Sequence, residues 1–254
     1  SKQEQDKPIR DKLKTRKDFE RVLAEDLDIM ETTKARIDTA KNINLYMYRS
    51  LSYSYILILQ SKYSVDAKID ELRDIYIKSM HYFLQAFNKR NPIYADILNY
   101  VSLGVLLNIP DDNFRQLIDY VKQMDKQAKP SGWTPDLLLW FMLNSRMKEQ
   151  EKQKYAETLA YPRLYNGLYK VIQAPNAATA KDALNKYLDR WYNLNSNAPW
   201  YNSHLKDNSY RGYWAWEVAA VAKIMHIDDS DLKNNQYYPY DMVHWADNET
   251  TAKE

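Results

Sequence analysis

Between Asp66 and Lys89 the apolar residues Ile69, Leu72, Tyr76, Met80, Phe83 and Phe87 return every three or four positions. That spacing places them on one stripe of an α-helix and is the cleanest helical pattern in the chain. The 4 Gly in 254 residues argue the same way, because an all-β chain needs many Gly-bearing turns. They also leave no Gly-rich phosphate loop. The expected fold class is all-α, a multi-helix bundle of antiparallel helices. Long N-terminal helices occupy residues 1–90, and an aromatic-rich helical domain occupies 91–254.

Other segments repeat the pattern. From Ile9 to about Lys62 the chain is charged and free of Pro and Gly, with Leu13, Val22, Leu23, Leu27, Met30 and Ile37 returning as one or two long helices. Tyr53 to Leu59 alternates like a strand but has no partner or hairpin signal nearby, so helix is expected. Asn91-Pro92 stops the central helix, and Tyr94, Ile97, Leu98, Val101 and Val105 open another that ends before Pro110. Asp111 or Asp112 is the expected cap of a helix carrying Phe114, Leu117, Ile118 and Val121. A break at Lys129-Pro130-Ser131-Gly132 precedes Thr134-Pro135, read as a cap followed by Pro at the first helical position. Leu137 to Leu143, apolar on every side, belongs at the centre of a core. Further helices carry Leu164, Leu168, Val171 and Ile172, then Leu184, Tyr187, Leu188 and Trp191, then Tyr213 to His226; the last follows a loop over Leu194 to Ser209. A faint echo links Ser102-Leu103 through Ile109-Pro110-Asp111-Asp112 to Ala220-Val221 through Ile227-Asp228-Asp229. It reflects either two modules built alike or the ordinary join between one helix and the next.

A formal net charge of +2 lacks the basic excess of a nucleic-acid binder and the acidic excess of a DNA mimic. With no Cys there are no disulfides, thiolate metal sites or Cys nucleophiles, which fits a reducing compartment. No apolar run reaches the roughly 18 residues of a membrane span. The expected setting is the cytoplasm. An exported form stays open, because the sequence starts at Ser1 and a leader or lipoprotein signal can precede it.

The last third carries distinctive words in fixed order: Asp189-Arg190-Trp191-Tyr192, Pro199-Trp200-Tyr201, Tyr210-Arg211-Gly212-Tyr213-Trp214-Ala215-Trp216-Glu217, Ile227-Asp228-Asp229-Ser230 and Tyr237-Tyr238-Pro239-Tyr240-Asp241. Together they resemble the PoNi family of bacterial immunity proteins from about Asn91 to Ala246. Trp191, Trp200, Tyr210, Gly212, Tyr213, Trp214, Trp216, Glu217 and Pro239 are its structural signature here. Nearer the N-terminus, Arg10-Asp11 fits the family's Arg-Asp start. Tyr63-Ser64-Val65-Asp66 resembles its Tyr-Ser-x-Gly turn without the glycine, and Ser64 or Asp66 remains able to cap the next helix. The resemblance implies a protein that neutralises a PoNe toxin, a DNase delivered by a contact-dependent secretion system such as type VI, by stoichiometric occlusion. It implies a protein partner, with no cofactor, no catalysis, no direct nucleic-acid binding and no membrane.

The residues themselves agree. His81, His204, His226 and His244 are scattered, and no His-Glu-x-x-His, nucleophile elbow or Walker loop occurs. His226 with Asp228 and Asp229 comes nearest a metal site, at a helix end where acids commonly cap. Glu217, among Trp216, Val218, Ala219 and Ala220, is expected to be buried and therefore paired. Its partner is Arg211, Arg190 or a Tyr hydroxyl in the structural reading, which is the expected one, and a toxin cation in the other. On the structural reading Glu217→Ala costs about 3 kcal/mol.

Tyr237, Tyr238 and Tyr240 either form an exposed anchor or seal the core around Pro239, and sealing is expected. From His226 to Glu254 seven acids, Asp228, Asp229, Asp231, Asp241, Asp247, Glu249 and Glu254, face only Lys233 and Lys253. This is either a nuclease-facing acidic end or a solvated tail. Candidate partner-binding residues are Asp228, Asp229, Asp231, Tyr237, Tyr238, Tyr240 and Asp241. A helical adaptor for endogenous peptides or proteins and a metal-dependent hydrolase are the alternatives.

Overall fold

The computed structural model describes residues 1–86, 93–127, 132–206 and 209–247. Phe87, the Asn91-Pro92 stop, the boundary after residue 90, Lys129-Pro130-Ser131, Glu249, Lys253 and Glu254 lie outside the described residues. Eleven α-helices and no strand occur among the described residues, so the fold is all-α. A lone parallel bridge joins Asp136 to Thr158.

The chain divides into two compact units, one of Ser1–Asn88 with Pro199–Tyr213 and one of Lys89–Ala198 with Trp214–Glu254. In the first, the short α1 (Lys2–Gln5) precedes α2 (Arg16–Thr39), α3 (Leu45–Val65) and α4 (Ile69–Ala86). Thr15 and Asp18 start α2 with a reciprocal capping box, and the Asn44 side chain caps α3. Helix α3 packs against both α2 and α4. Ile37, Leu51 and Tyr55 form a buried cluster lined by Met30, Met47, Tyr48, Ile75 and Tyr82. The run Tyr53 to Leu59, strand-like in alternation but expected to be helix, lies inside α3, where apolar burial on several sides masks the helical period. Ser64 is in the last turn of α3 and Asp66 is its C-cap, so neither acts as the N-cap expected for α4.

The second unit holds α5 (Tyr94–Leu106), α6 (Asp111–Gln127), α7 (Leu137–Asn144), α8 (Pro162–Gln173), α9 (Ala177–Leu194), α10 (Trp216–Ile224) and α11 (Tyr240–His244). Every residue of α10 from Trp216 to Ala222 is buried, and its alanines let it lie against α5, α7, α9 and α11. Helix α7 is also core, with Leu138, Leu139, Trp140, Met142 and Leu143 buried. Two expected caps and one helix start move. Asp111 and Asp112 fall inside the first turn of α6. Asp136, not Thr134, caps α7 through Leu139 N at 2.9 Å. Helix α10 starts at Trp216 rather than Tyr213, because Ala215 N is drawn to Tyr237 O at 2.8 Å.

The echo between α5 and α10 has a concrete form. Asn108 (φ 48°) and His226 (φ 53°) both take the left-handed conformation just past a helix end. Ile109 N then bonds Gly104 O and Ile227 N bonds Ala222 O, the same helix-closing pattern in both. Lys223 of α10 donates to Val105 O, Leu106 O and Asn108 Oδ1 at 3.2, 3.0 and 2.7 Å, placing a cation on the exposed carbonyls of α5. Burial pushes the Lys223 pKa down to about 8.

Candidate functional site

In the first unit the dispersed words meet. Arg10 lies over the Tyr63 ring at 4.5 Å and donates to Tyr63 O and Ala67 O. Asp11 N donates to Ser64 O, and the Asp11 carboxylate accepts from the Tyr210 hydroxyl. Burial raises the Asp11 pKa, although Tyr210 and the backbone of Lys14 and Leu13 pull the other way. Ser64 donates to Arg211 O at 2.6 Å, while the Arg211 guanidinium grips both oxygens of buried Asp26 at 2.8 and 2.9 Å. Gly212 follows at φ 107°, a backbone state that side chains oppose, so a glycine is required in this word. Tyr213 receives His204 N at 3.0 Å and lies 2.7 Å from His204 Nδ1. Trp200 is exposed on one side and tilts against the Tyr213 ring on the other.

In the second unit the remaining signature residues again hold one another. The Trp191 indole donates to Glu217 Oε1 at 2.6 Å, so neither expected arginine is the partner, and Arg211 is occupied by Asp26. Glu217 is buried on α10, and burial raises its pKa. Tyr238 is only 1% exposed and donates to buried Asp229 at 2.6 Å. His244 bridges Asp229 at 2.8 Å and Asp247 at 2.6 Å. The Tyr237 ring stacks on Tyr192, with centroids 5.5 Å apart, and Pro239 is buried beside it. Of the candidate binding residues, Asp228, Asp231 and Asp241 are exposed, Tyr237 and Tyr240 are half-buried, and Asp229 and Tyr238 are interior. Lys181 reaches both Asp228 and Asp231 at 3.1 Å, so this end is partly neutralised from within. His226 is exposed and apart from this arrangement. No three His, Asp or Glu side chains converge to hold a metal among the described residues.

Two clusters went unseen in the sequence. Asp125 accepts from the indoles of Trp133 and Trp140 at 2.8 Å each and from the Tyr155 hydroxyl. Asp136 accepts from the Tyr94 hydroxyl at 2.7 Å and from Ala160 N at 2.9 Å while capping α7. Their donors lie scattered along the chain and make no contiguous word. One signal was available: Asp125 falls four residues after Val121 on the apolar stripe of α6, where a carboxylate is tolerable only with donors.

Carboxyl groups saturated in this way position helices; they do not present a free base or nucleophile. No helix among the described residues is long and apolar enough to cross a membrane.

Residues 8–119 match the family model described as PoNe immunity protein (PoNi), N-terminal. Residues 134–242 match the one described as PoNe immunity proteins (PoNi), C-terminal. No curated protein matches. Among solved structures, the crystal structure of protein PA2201 from Pseudomonas aeruginosa has a TM-score of 0.70 at 18% sequence identity. The alignment covers 96% of this chain and 93% of that chain, and it establishes a shared fold.

Proposed function

The chain belongs to the PoNi family of PoNe immunity proteins, and from that premise we propose that it protects its producer by binding and occluding a PoNe nuclease toxin. The observation that carries the reading is the pair of family matches, in sequence order, over residues 8–119 and 134–242. The interior supports inhibition by contact over catalysis. Asp11, Asp125, Asp136, Glu217 and Asp229 are each tied to Tyr or Trp donors, which spends their lone pairs on rigidity. A unit braced in this way loses little entropy on docking, which favours tight, stoichiometric binding. The toxin arrives through a contact-dependent secretion system, and the protein acts in the cytoplasm, where chromosomal DNA is at risk.

Producing the cognate PoNe toxin inside a susceptible cell tests this. Co-expression of the chain should restore growth and keep chromosomal DNA intact. Continued DNA degradation with both proteins abundant and folded would refute the proposal.

A further inference from the structure

The chain leaves its first unit after Asn88 and returns to it for one stretch, Pro199–Tyr213, before continuing into the second unit. That stretch belongs to the C-terminal family region, yet it completes the N-terminal unit. Tyr210 sets its ring centroid 5.7 Å from that of Phe19 on α2 and gives its hydroxyl to Asp11. Arg211 holds Asp26 of α2 with a two-pronged grip, Nε to Oδ2 at 2.8 Å and Nη2 to Oδ1 at 2.9 Å, and its carbonyl accepts from Ser64 in the last turn of α3. Tyr213 ties the stretch to itself, because its hydroxyl meets His204 and its ring tilts against Trp200.

Two buried acids of the N-terminal part depend on this stretch. Asp26 is 3% exposed and Asp11 8%. Among the described residues, only Arg211 donates to the Asp26 side chain. Asp11 has the backbone of Leu13 and Lys14 on one oxygen, and Tyr210 donates to the other. A carboxylate that stays buried after losing its partner is strongly destabilising. Without the returning stretch, residues 1–88 therefore favour a form in which α2 lifts and Asp26 reaches solvent. The second unit has no matching need, since α10 packs against α5, α7, α9 and α11 of its own unit. We propose that Pro199–Tyr213 is a strap that latches the first unit shut through Arg211 on Asp26. Seated, it closes α2 onto the unit; unseated, it lets α2 open while the helices of the second unit stay folded. Such local opening is an equilibrium of the chain itself and holds whatever partner the protein binds.

Hydrogen exchange read by mass spectrometry on the full chain follows both units in one sample. Arg211→Gln removes the guanidinium and should speed amide exchange along α2 about 100-fold or more, with α5, α7 and α10 exchanging as in wild type. Asp26→Asn/Arg211→Gln lacks the buried charge as well, so its α2 should exchange no faster than in Arg211→Gln alone. Tyr210→Phe keeps the ring on Phe19 and loses only the hydroxyl. Its milder effect, about tenfold and confined to the first unit, decides the matter should Arg211→Gln fail to fold. Equal acceleration of both units by either folded variant makes these contacts part of one cooperative fold and overturns the strap. Exchange at α2 that matches wild type in Arg211→Gln overturns it too, as does a double variant whose α2 exchanges faster than that of Arg211→Gln.

Discussion

A carboxyl group taken out of water must find donors, and here Asp11, Asp125, Asp136, Glu217 and Asp229 find them on Tyr and Trp. Glu217 is the sharpest case. Its raised pKa means that its neutral form suits the fold. The stability it contributes is therefore present below its ordinary value of 4.5 and is lost as pH rises through the folded-state pKa. Glu217→Gln keeps an acceptor for Trp191 and carries no charge, so its melting temperature should match or exceed wild type at pH 8. Glu217→Ala strands the indole and should cost about 1–3 kcal/mol in denaturant unfolding, less than a broken ion pair would.

His244 has a dependence of the same sign from a different cause. Burial disfavours its charge, but Asp247 and Asp229 outweigh that and raise the pKa above 6.5. Its contribution is present below 6.5 and is lost as pH rises through the folded-state value. Wild type should therefore lose more stability than His244→Gln between pH 6 and pH 9, a difference that thermal melts at both pH values would read directly.

Among elements, α8 and α9 approach closely at Gly167. A Cβ on Gly167 would sit 2.8 Å from both Tyr187 Cδ2 and Arg190 Nη2. The arginine tip can move, but Tyr187 is buried and its hydroxyl is fixed on Leu164 O at 2.6 Å. Gly167→Ala should cost about 1–3 kcal/mol, seen as a lower denaturant midpoint with an unchanged slope. Helices were legible in the sequence wherever one face is apolar, as in α4 and α6, because burial imposes the period directly. Their starts were less legible. Asp136 won the cap of α7 because Tyr94 and Ala160 hold it from afar, and Tyr237 delayed the start of α10; none of these three partners is near in sequence. The same distance separates reading the signature from understanding it. Tyr210 and Tyr238 stand out as letters, but their acids, Asp11 and Asp229, had to be brought to them by folding.

At the scale of the molecule, the aromatic words that mark this family are mostly internal wiring. Their donors hold buried carboxylates in place. Interior and surface substitutions should therefore separate. Asp125→Ala, which strands the indoles of Trp133 and Trp140, should lower the melting temperature and weaken protection only in proportion to the folded protein lost. The most direct measurement is a titration of the purified chain into a fixed amount of PoNe toxin acting on linear DNA, with the cleavage rate recorded at each addition. The account predicts a straight fall to zero at a fixed molar ratio, with no loss of inhibitor over repeated toxin additions up to that ratio. A cleavage rate that stays constant past a large molar excess of folded protein would contradict it.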